Sequence, residues 1–344
     1  MAVAQALELE PTAQSDKPRW WPAARRALAF LVVVAVLCVL WEGYKAVGMA
    51  IDGNLPCGQT RMPICPTDTS MPHLWNIFGA LFQPVRRGSE FISIEDIFQS
   101  IFIPLQRCDK KISFVNILQS LFKPTEVCPV EPLLIVLIRS ALFTWGEAAA
   151  GFVIGSLIGF MLGAIFGRFL LLERSLMPYI VASQTVPLLA IAPMIVIWGS
   201  RLGWEAWWSV SIISAYLTFF PVTINTLRGL RSPDPTAVEL MRSYAASEMQ
   251  ILWKLRLPAA LPYIFTALKV SATISVIGAI VGELPSGIPD GLGRVLLTFS
   301  YYYISGPEKL YAAILGAAAL GILFSVIVAQ IEKQVVPEGR RLEG

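Results

Sequence analysis

Apolar residues in this chain fall in long blocks instead of recurring at helical or alternating intervals. Six blocks stand out, at about residues 27–48, 146–166, 176–199, 205–229, 260–283 and 310–331. Each reaches the roughly 20 residues that an α-helix needs to cross about 30 Å of hydrocarbon. Trp20, Trp21, Trp41, Trp198, Trp204, Trp207 and Trp208 lie near block boundaries, where amphipathic rings settle at headgroup level. The blocks predict an all-α, polytopic membrane protein with about six transmembrane helices. Its organisation reads as an N-terminal segment (1–26), a first transmembrane helix (27–48), a long polar insert (49–131), a transmembrane domain (132–336) interrupted by a charged hinge at 231–258, and a tail (337–344).

Composition agrees with this reading. The 344 residues are 55% hydrophobic and 15% charged, with a mean hydropathy of +0.63; soluble domains carry about 25% charge. A net charge of +3 is too small to point to nucleic acid, and its distribution says more. Lys17, Arg19, Arg25 and Arg26 precede the first block, and Arg168 and Arg174 follow the second. Arg228, Arg231, Arg242, Lys254 and Arg256 crowd the hinge, and Lys333, Arg340 and Arg341 close the chain. With six spans these groups share one side, which predicts that side, and both termini, to be cytoplasmic. The facing short loops offer Arg201, Arg294 and Lys309. The first block could pass for a secretory signal, since "AVGMA" follows a basic lead and an apolar core. Trp41, Glu42 and Lys45 intervene before any small-residue site, so it is read as an uncleaved anchor.

In this arrangement the insert lies outside, and with it Cys57, Cys65, Cys108 and Cys128, while Cys38 sits in the first block. An even outward set suits two disulfides in an oxidising compartment; the spacing leaves their pairing open, and four free thiols are the alternative. No CxxC pair occurs and His73 is the sole histidine, which argues against zinc; His73 reads as an ordinary polar residue of the insert. The segments "LWNIFGALFQP" (74–84), "IEDIFQSIFIP" (94–104) and "FVNILQSLFKP" (114–124) repeat at a period of 20, aligning Ile77, Ile97 and Ile117, then Pro84, Pro104 and Pro124. Each predicts a short amphipathic helix stopped by proline, a unit that has to stack on a neighbour or on lipid. A structural cap and a docking surface both fit.

The hinge contains "ELMRSYAASEMQILWKLRLPAALP" (239–262). Asp234-Pro235 with Thr236-x-x-Glu239, and then Ser247-x-x-Gln250, are helix-start signals. They predict two short helices with a turn near residues 245–247. Leu240, Met241, Tyr244, Ile251, Leu252 and Leu255 can share an apolar side, while Glu239, Arg242, Gln250 and Lys254 stay polar. Pro258 and Pro262 mark the return to the membrane. A bare connection needs only a few residues, so the hinge is read as a surface made to be gripped.

This stretch resembles the EAA loop of bacterial ABC-importer permeases, E-A-A-x3-G-x9-I-x-L-P. Glu239, Leu255, Leu257 and Pro258 fall in register, Leu240 and Met241 stand where the alanines would, and Ala245 replaces the glycine. Alanine at that place suggests a helical turn in preference to a left-handed one. "VPLLAIAPMIVIWG" (186–199), "FFPVTINTLRGLRSPDP" (219–235), Glu283 shortly after "ISVIGAIV", and "GLG" (291–293) are similar to the nitrate/sulfonate/taurine-type permeases. The likeness runs over about residues 139–336 and leaves the insert outside.

What the resemblance implies is a permease subunit of an importer in the bacterial inner membrane. Two permeases, identical or paralogous, would form the pathway; two cytoplasmic ABC ATPase subunits would grip the hinges; an extracytoplasmic binding protein would deliver a small polar solute. The ATPase-coupling residues carried over are Glu239, Leu240, Met241, Arg242, Ala245, Leu255, Leu257 and Pro258. No GxxxxGK[ST] loop occurs in the chain, so ATP-Mg is assigned to the partner ATPase and no cofactor to this chain. No catalytic or metal-ligating constellation appears, which argues against an enzyme.

Polar groups and prolines inside spans are pathway candidates, because they are costly unless they face a cavity or a partner. They are Gln184, Thr185, Pro187, Pro193, Thr218, Asn225, Ser271, Thr273 and Ser275, with Pro221 as a further kink. For each hydroxyl, bonding to its own helix or gluing neighbours is the competing role. Glu283 is expected at an outer gate beside a cation, and Lys269 is expected to snorkel. Gly155, Gly159 and Gly163 read as a close-packing stripe, and Trp145-Gly146-Glu147 as a polar interruption at the outer entrance of the second span.

"GELPSGIPDGLGRVL" (282–296) looks like the riboflavin or thiamine-precursor pyrimidine branch. The hydroxyl and amide character of the pathway candidates also leans towards an uncharged heterocycle. Sulfonate, nitrate and bicarbonate are the other solutes that the family carries. An ATP-independent channel or ion-coupled carrier is the alternative from another class. It would need no hinge, and such carriers often bury carboxylates at mid-membrane, where these spans show almost none.

Overall fold

The structure is a computed structural model, and it describes residues 21–52, 66–86 and 130–336. Cys57, Cys65, Cys108 and Cys128 and the second and third repeats lie outside the described residues. Contacts divide the chain into two units, Met1–Leu74 and Trp75–Gly344.

In the first unit, α1 (Trp21–Asp52) is a continuous helix with apolar side chains exposed along its middle, Leu31, Val39 and Leu40 among them. Its last turns carry the polar residues, and these organise the segment that follows. Glu42 accepts from the Leu74 amide at 2.8 Å and meets His73 Nδ1 at 2.8 Å, Trp41 Nε1 donates to the Pro72 carbonyl at 3.1 Å, and buried Lys45 pairs with Asp68. His73 is thus part of a polar cluster with Glu42 and Asp68.

The second unit takes up the chain at the second residue of α2 (Leu74–Ala80), the helix predicted for the first repeat, although it ends before Pro84 is reached. Pro84 instead starts β1 (Pro84–Arg86), which pairs antiparallel with β2 (Val130–Pro132). The Gln83 and Leu81 carbonyls accept from the amides of Leu133 and Leu134 at 3.0 and 2.9 Å, which ties this end of the insert to the first turn of α3 (Leu133–Arg168).

After α3 come α4 (Leu170–Ser183), α5 (Leu188–Arg201), α6 (Ala206–Leu230), α7 (Pro235–Ser243), α8 (Glu248–Ile251), α9 (Leu257–Ser286), α10 (Leu292–Tyr301) and α11 (Pro307–Val335). Among the described residues five helices are long and apolar enough to cross a membrane, or six if the bent pair α4–α5 is one span. Two expectations need correction. The second span does not begin at residue 146: α3 runs unbroken through Trp145, Gly146 and Glu147, and Glu147 is fully buried. The third span is not one helix, because α4 and α5 meet at 96°. Pro187 lacks an amide hydrogen, and its ring pushes the residue before it out of the helical region. The Thr185 hydroxyl donates to the Ala182 carbonyl at 2.7 Å, closing the end of α4.

The core is α6 held between α3 and α9. Lipid tails are as apolar as leucine, so spans associate by close packing and hydrogen bonds, not by burial from water. The α3 glycines provide the closeness. A Cβ on Gly155 would lie 2.5 Å from the Ala215 carbonyl oxygen, one on Gly159 2.5 Å from that of Phe219, and one on Gly163 2.7 Å from Thr226 Cβ. Every fourth residue of α3 thus meets every fourth of α6. On the far side a Cβ on Gly278 would lie 2.9 Å from Ser214 Cα, and Ser214 Oγ donates to the Ser275 carbonyl at 2.8 Å. Lys269 has a counter-charge within reach: Glu332 on α11 sits 3.0 Å from its ammonium.

Candidate functional site

The hinge is built by local chemistry. Asp234 caps α7, accepting from the Thr236 amide at 2.9 Å and the Thr236 hydroxyl at 2.8 Å, with Pro235 in the first turn. These bonds, backbone first, hold the Asp234 carboxyl below its ordinary value. The Thr236–Glu239 capping box does not form, because the helix starts earlier, at a proline whose φ is preset. The second box does form: Ser247 N–H donates to Gln250 Oε1 at 2.8 Å and the Gln250 amide to Ser247 Oγ at 3.3 Å.

Between the two helices, Ala246 N–H donates to the Met241 carbonyl at 3.1 Å and Ala245 N–H to that of Arg242 at 2.9 Å, the pair of bonds that defines a Schellman stop. Ala245 consequently sits at φ +52°. The helical turn expected from alanine is thus not what forms; the left-handed turn is kept, and alanine bears a cost of about 1 kcal/mol relative to glycine. Downstream, Leu257 N–H reaches back to the Leu252 carbonyl across one wide turn, Leu252–Arg256. Pro258, which cannot bond to residue 254 and whose ring crowds that carbonyl, gives the reason for the widening. The chain passes from α8 through this turn into α9 without leaving helical geometry.

Ion pairs brace the hinge against the bundle. Glu248 reaches Arg242 at 3.1 Å and Arg168, in the last turn of α3, at 3.4 Å. Arg231, just after α6, forms a two-pronged pair with Glu173 on α4. Being exposed, these pairs add little stability individually, but they fix direction. A cavity of about 290 Å³ lies beneath, lined by Arg168, Leu230, Met249 and Leu252 among others.

The apolar face of the hinge is divided. Ile251 is buried and Leu252, Leu255 and Leu257 are half-buried. Leu240, Tyr244, Met249 and Trp253 are 57, 79, 62 and 62% exposed, and Glu239 and Arg242 are exposed beside them. Met249 and Trp253 were not among the sequence candidates; their spacing of four, with Trp253 Nε1 donating to Met249 Sδ at 3.2 Å, was the available signal.

The opposite end of α9 is closed. Glu283 is buried and, among the described residues, no cation is found beside it, contrary to expectation; its Oε1 accepts from Thr144 Oγ1 at 2.6 Å and its Oε2 from the Gly293 amide. Thr144 Oγ1 in turn accepts from the Leu292 amide at 2.9 Å. Thr144 and Glu283 together cap α10, whose first amides need partners. A Cβ at Gly293 would fall 2.5 Å from the Ile280 carbonyl oxygen and 2.8 Å from Glu283 Cβ, which explains the glycine there.

The pathway candidates scatter. Thr218, Ser271 and Ser275 are buried between helices: Thr218 Oγ1 donates to Ser214 O at 3.0 Å, Ser271 Oγ to Thr218 O at 3.4 Å and Ser275 Oγ to Ala272 O at 2.8 Å. These three and Glu283 have hydrogen-bond partners within the chain. Asn225 Nδ2 is occupied by the Pro221 carbonyl at 2.8 Å. Gln184, Thr185, Pro187 and Pro193 gather at the α4–α5 bend, which Tyr216 of α6 anchors by donating to the Ser183 carbonyl. Thr273 is exposed on α9.

Residues 151–337, over half the chain, match the model of the binding-protein-dependent transport system inner membrane component. The chain belongs to this permease family. It is a non-enzymatic subunit of an ABC importer, an inner-membrane component that works with ATPase and substrate-binding partners. The permease is 34% identical over 212 residues to the formylaminopyrimidine transport permease protein ThiX of Halalkalibacterium halodurans, covering 59% of this chain and 80% of that one. It is 31% identical over 224 residues to the putative aliphatic sulfonates transport permease protein SsuC of Bacillus subtilis, covering 62% and 79%. In fold the permease is similar to a chain of the MetNI methionine ABC transporter in inward-facing form, with a TM-score of 0.54 at 17% identity, covering 60% of this chain and 99% of that one.

Proposed function

We propose that this permease subunit carries a small uncharged heterocycle of the pyrimidine or flavin kind, with α7 and α8 as the handle for a nucleotide-driven partner. The observation that carries the coupling role is the exposed quartet Leu240, Tyr244, Met249 and Trp253 on a rigidly capped hinge. Exposed apolar clusters rimmed by charge mark places where another protein docks. Glu239 and Arg242 form that rim, and Ala245, Leu255, Leu257 and Pro258 set its angle. In this reading the hinge faces the cytoplasm with both termini, ATP-Mg sits in two ABC ATPase subunits, and a second permease completes the pathway. The bend at Gln184 and Thr185 and the open Thr273 face are then the pathway positions to test first.

The substrate class rests on the relatives named for formylaminopyrimidine and for riboflavin; the latter, RibX of Chloroflexus aurantiacus, is 34% identical over 126 residues, 45% of its length. Sulfonate is the competing class through SsuC. Calorimetric titration of the cognate binding protein decides: micromolar or tighter binding of a pyrimidine or flavin, with none of an alkanesulfonate, supports the reading, and the reverse overturns it. A channel would carry solute with the ATPase absent, so uptake into vesicles with and without the ATPase tests the coupling separately.

A further inference from the structure

Glu147 is a buried carboxyl that takes no part in capping α10. It lies on α3 one turn after Thr144 and is fully buried. Neither of its oxygens receives an N–H or O–H, and its carboxyl faces that of Glu283. Along α3 it is about 30 Å from Arg168 at about 1.5 Å per residue, roughly one hydrocarbon thickness. The pair therefore sits at the membrane boundary opposite the hinge.

Two carboxylates side by side, out of water and without a counter-charge, are not a sustainable arrangement. The groups facing them offer no relief. Thr144 on α3 has spent its proton on Glu283, and the Gly293 amide of α10 serves Glu283 alone. No Lys, Arg or His from α9, α10 or α11 acts on either carboxyl among the described residues. Among the described residues no positive charge lies between Glu147 and Glu283. The gap takes a proton readily: one carboxyl donates, the other accepts, and both Glu147 and Glu283 stay satisfied.

We propose that Glu147 and Glu283 share one proton and so form a proton-binding site that fastens α3 to the junction of α9 and α10. The proton enters from the bulk on that side of the membrane and bridges the two carboxyl groups without any bond being broken in the chain. When it leaves, two negative charges face each other at the point from which α10 is hung, and α3 and the α10 N-terminus are driven apart. The site is independent of which solute is carried.

Infrared spectroscopy of the permease assembled with its ATPase in lipid nanodiscs tests this. The wild type is expected to show, at neutral pH, the carbonyl stretch of a protonated carboxyl, which shifts in deuterated buffer, disappears at high pH and is lost in Glu147→Gln. Thermal unfolding of the same assemblies is expected to fall for the wild type as pH rises through loss of that band, and to stay flat in Glu147→Gln, where the amide keeps a donor in place without a charge. Absence of the band from the wild type at neutral pH overturns the proposal, and so does its survival in both Glu147→Gln and Glu283→Gln. Stabilisation by sodium or potassium at fixed pH, with no such band, also overturns it and assigns the gap to a metal cation. Should Glu147→Gln fail to assemble, Glu147→Asp decides: a shifted band supports the site and an unmoved one overturns it.

Discussion

The two ends of α9 treat their polar and apolar residues in opposite ways. At the Leu257 end, large apolar side chains and charges lie exposed together on α7 and α8, braced by ion pairs of small worth. At the Ser286 end, two carboxyls and a hydroxyl are sealed inside, and glycines bring the backbone close enough to cap itself on them. The first arrangement leaves apolar side chains open to another protein, as the proposed coupling role requires; the second encloses its polar groups. A single helix, α9, joins them.

The largest effects should come from breaking the open end functionally without unfolding it. Glu239→Ala with Arg242→Ala, or Tyr244→Asp with Trp253→Asp, is expected to abolish ATP-dependent uptake while leaving membrane insertion and, within about 0.5 kcal/mol, stability unchanged, as for exposed sites in general. Uptake assays beside unfolding curves check this, and full uptake in either variant would remove the hinge from the coupling role.

Next in size is the bundle that keeps the two ends in register. Gly155→Leu puts a branched side chain where a Cβ would already lie 2.5 Å from Ala215 O, and should cost at least the ~1–3 kcal/mol of an overpacked core. Gly146→Ala on the same helix meets nothing within 4 Å and should be neutral or stabilise by up to ~1 kcal/mol through helix propensity. Thermal unfolding of the two variants in one detergent separates packing from propensity.

Smaller again, Ala245→Gly relieves the positive φ and is expected to raise hinge stability by about 1 kcal/mol, read as slower amide exchange at Ala246. The least effect is acid fraying of α7. Asp234's carboxyl is held below its ordinary 3.8, so its cap is intact above that value and lost as pH falls through the lowered one. Exchange at the Thr236 amide should accelerate on acidification, and Asp234→Ala should remove that dependence.

Much of the hinge was legible because its causes are local. Ser247 and Gln250, and Asp234 and Pro235, act within a turn or two, and they produced the two short helices where spacing put them. The glycine stripe on α3 was legible for the same reason, since small residues every fourth position define a helix face whatever lies opposite. What escaped were contacts made at a distance. Lys269 and Glu332 meet only because α9 packs on α11, and the buried serines of α9 differ from exposed Thr273 only by which neighbour they face.

By itself, then, the sequence determined that this chain crosses a membrane about six times and that a capped helical elbow lies between the fourth and fifth apolar blocks. Hydrophobic blocks and caps are properties of neighbouring residues, and neighbours are what a sequence displays. Only the tertiary structure decided that the third span breaks at 96°, that alanine at 245 takes a glycine's turn, and that Glu147 and Glu283 confront each other in the dark of the bundle. Their encounter depends on α3, α9 and α10 converging, and a charge acquires its meaning from what stands opposite it in space.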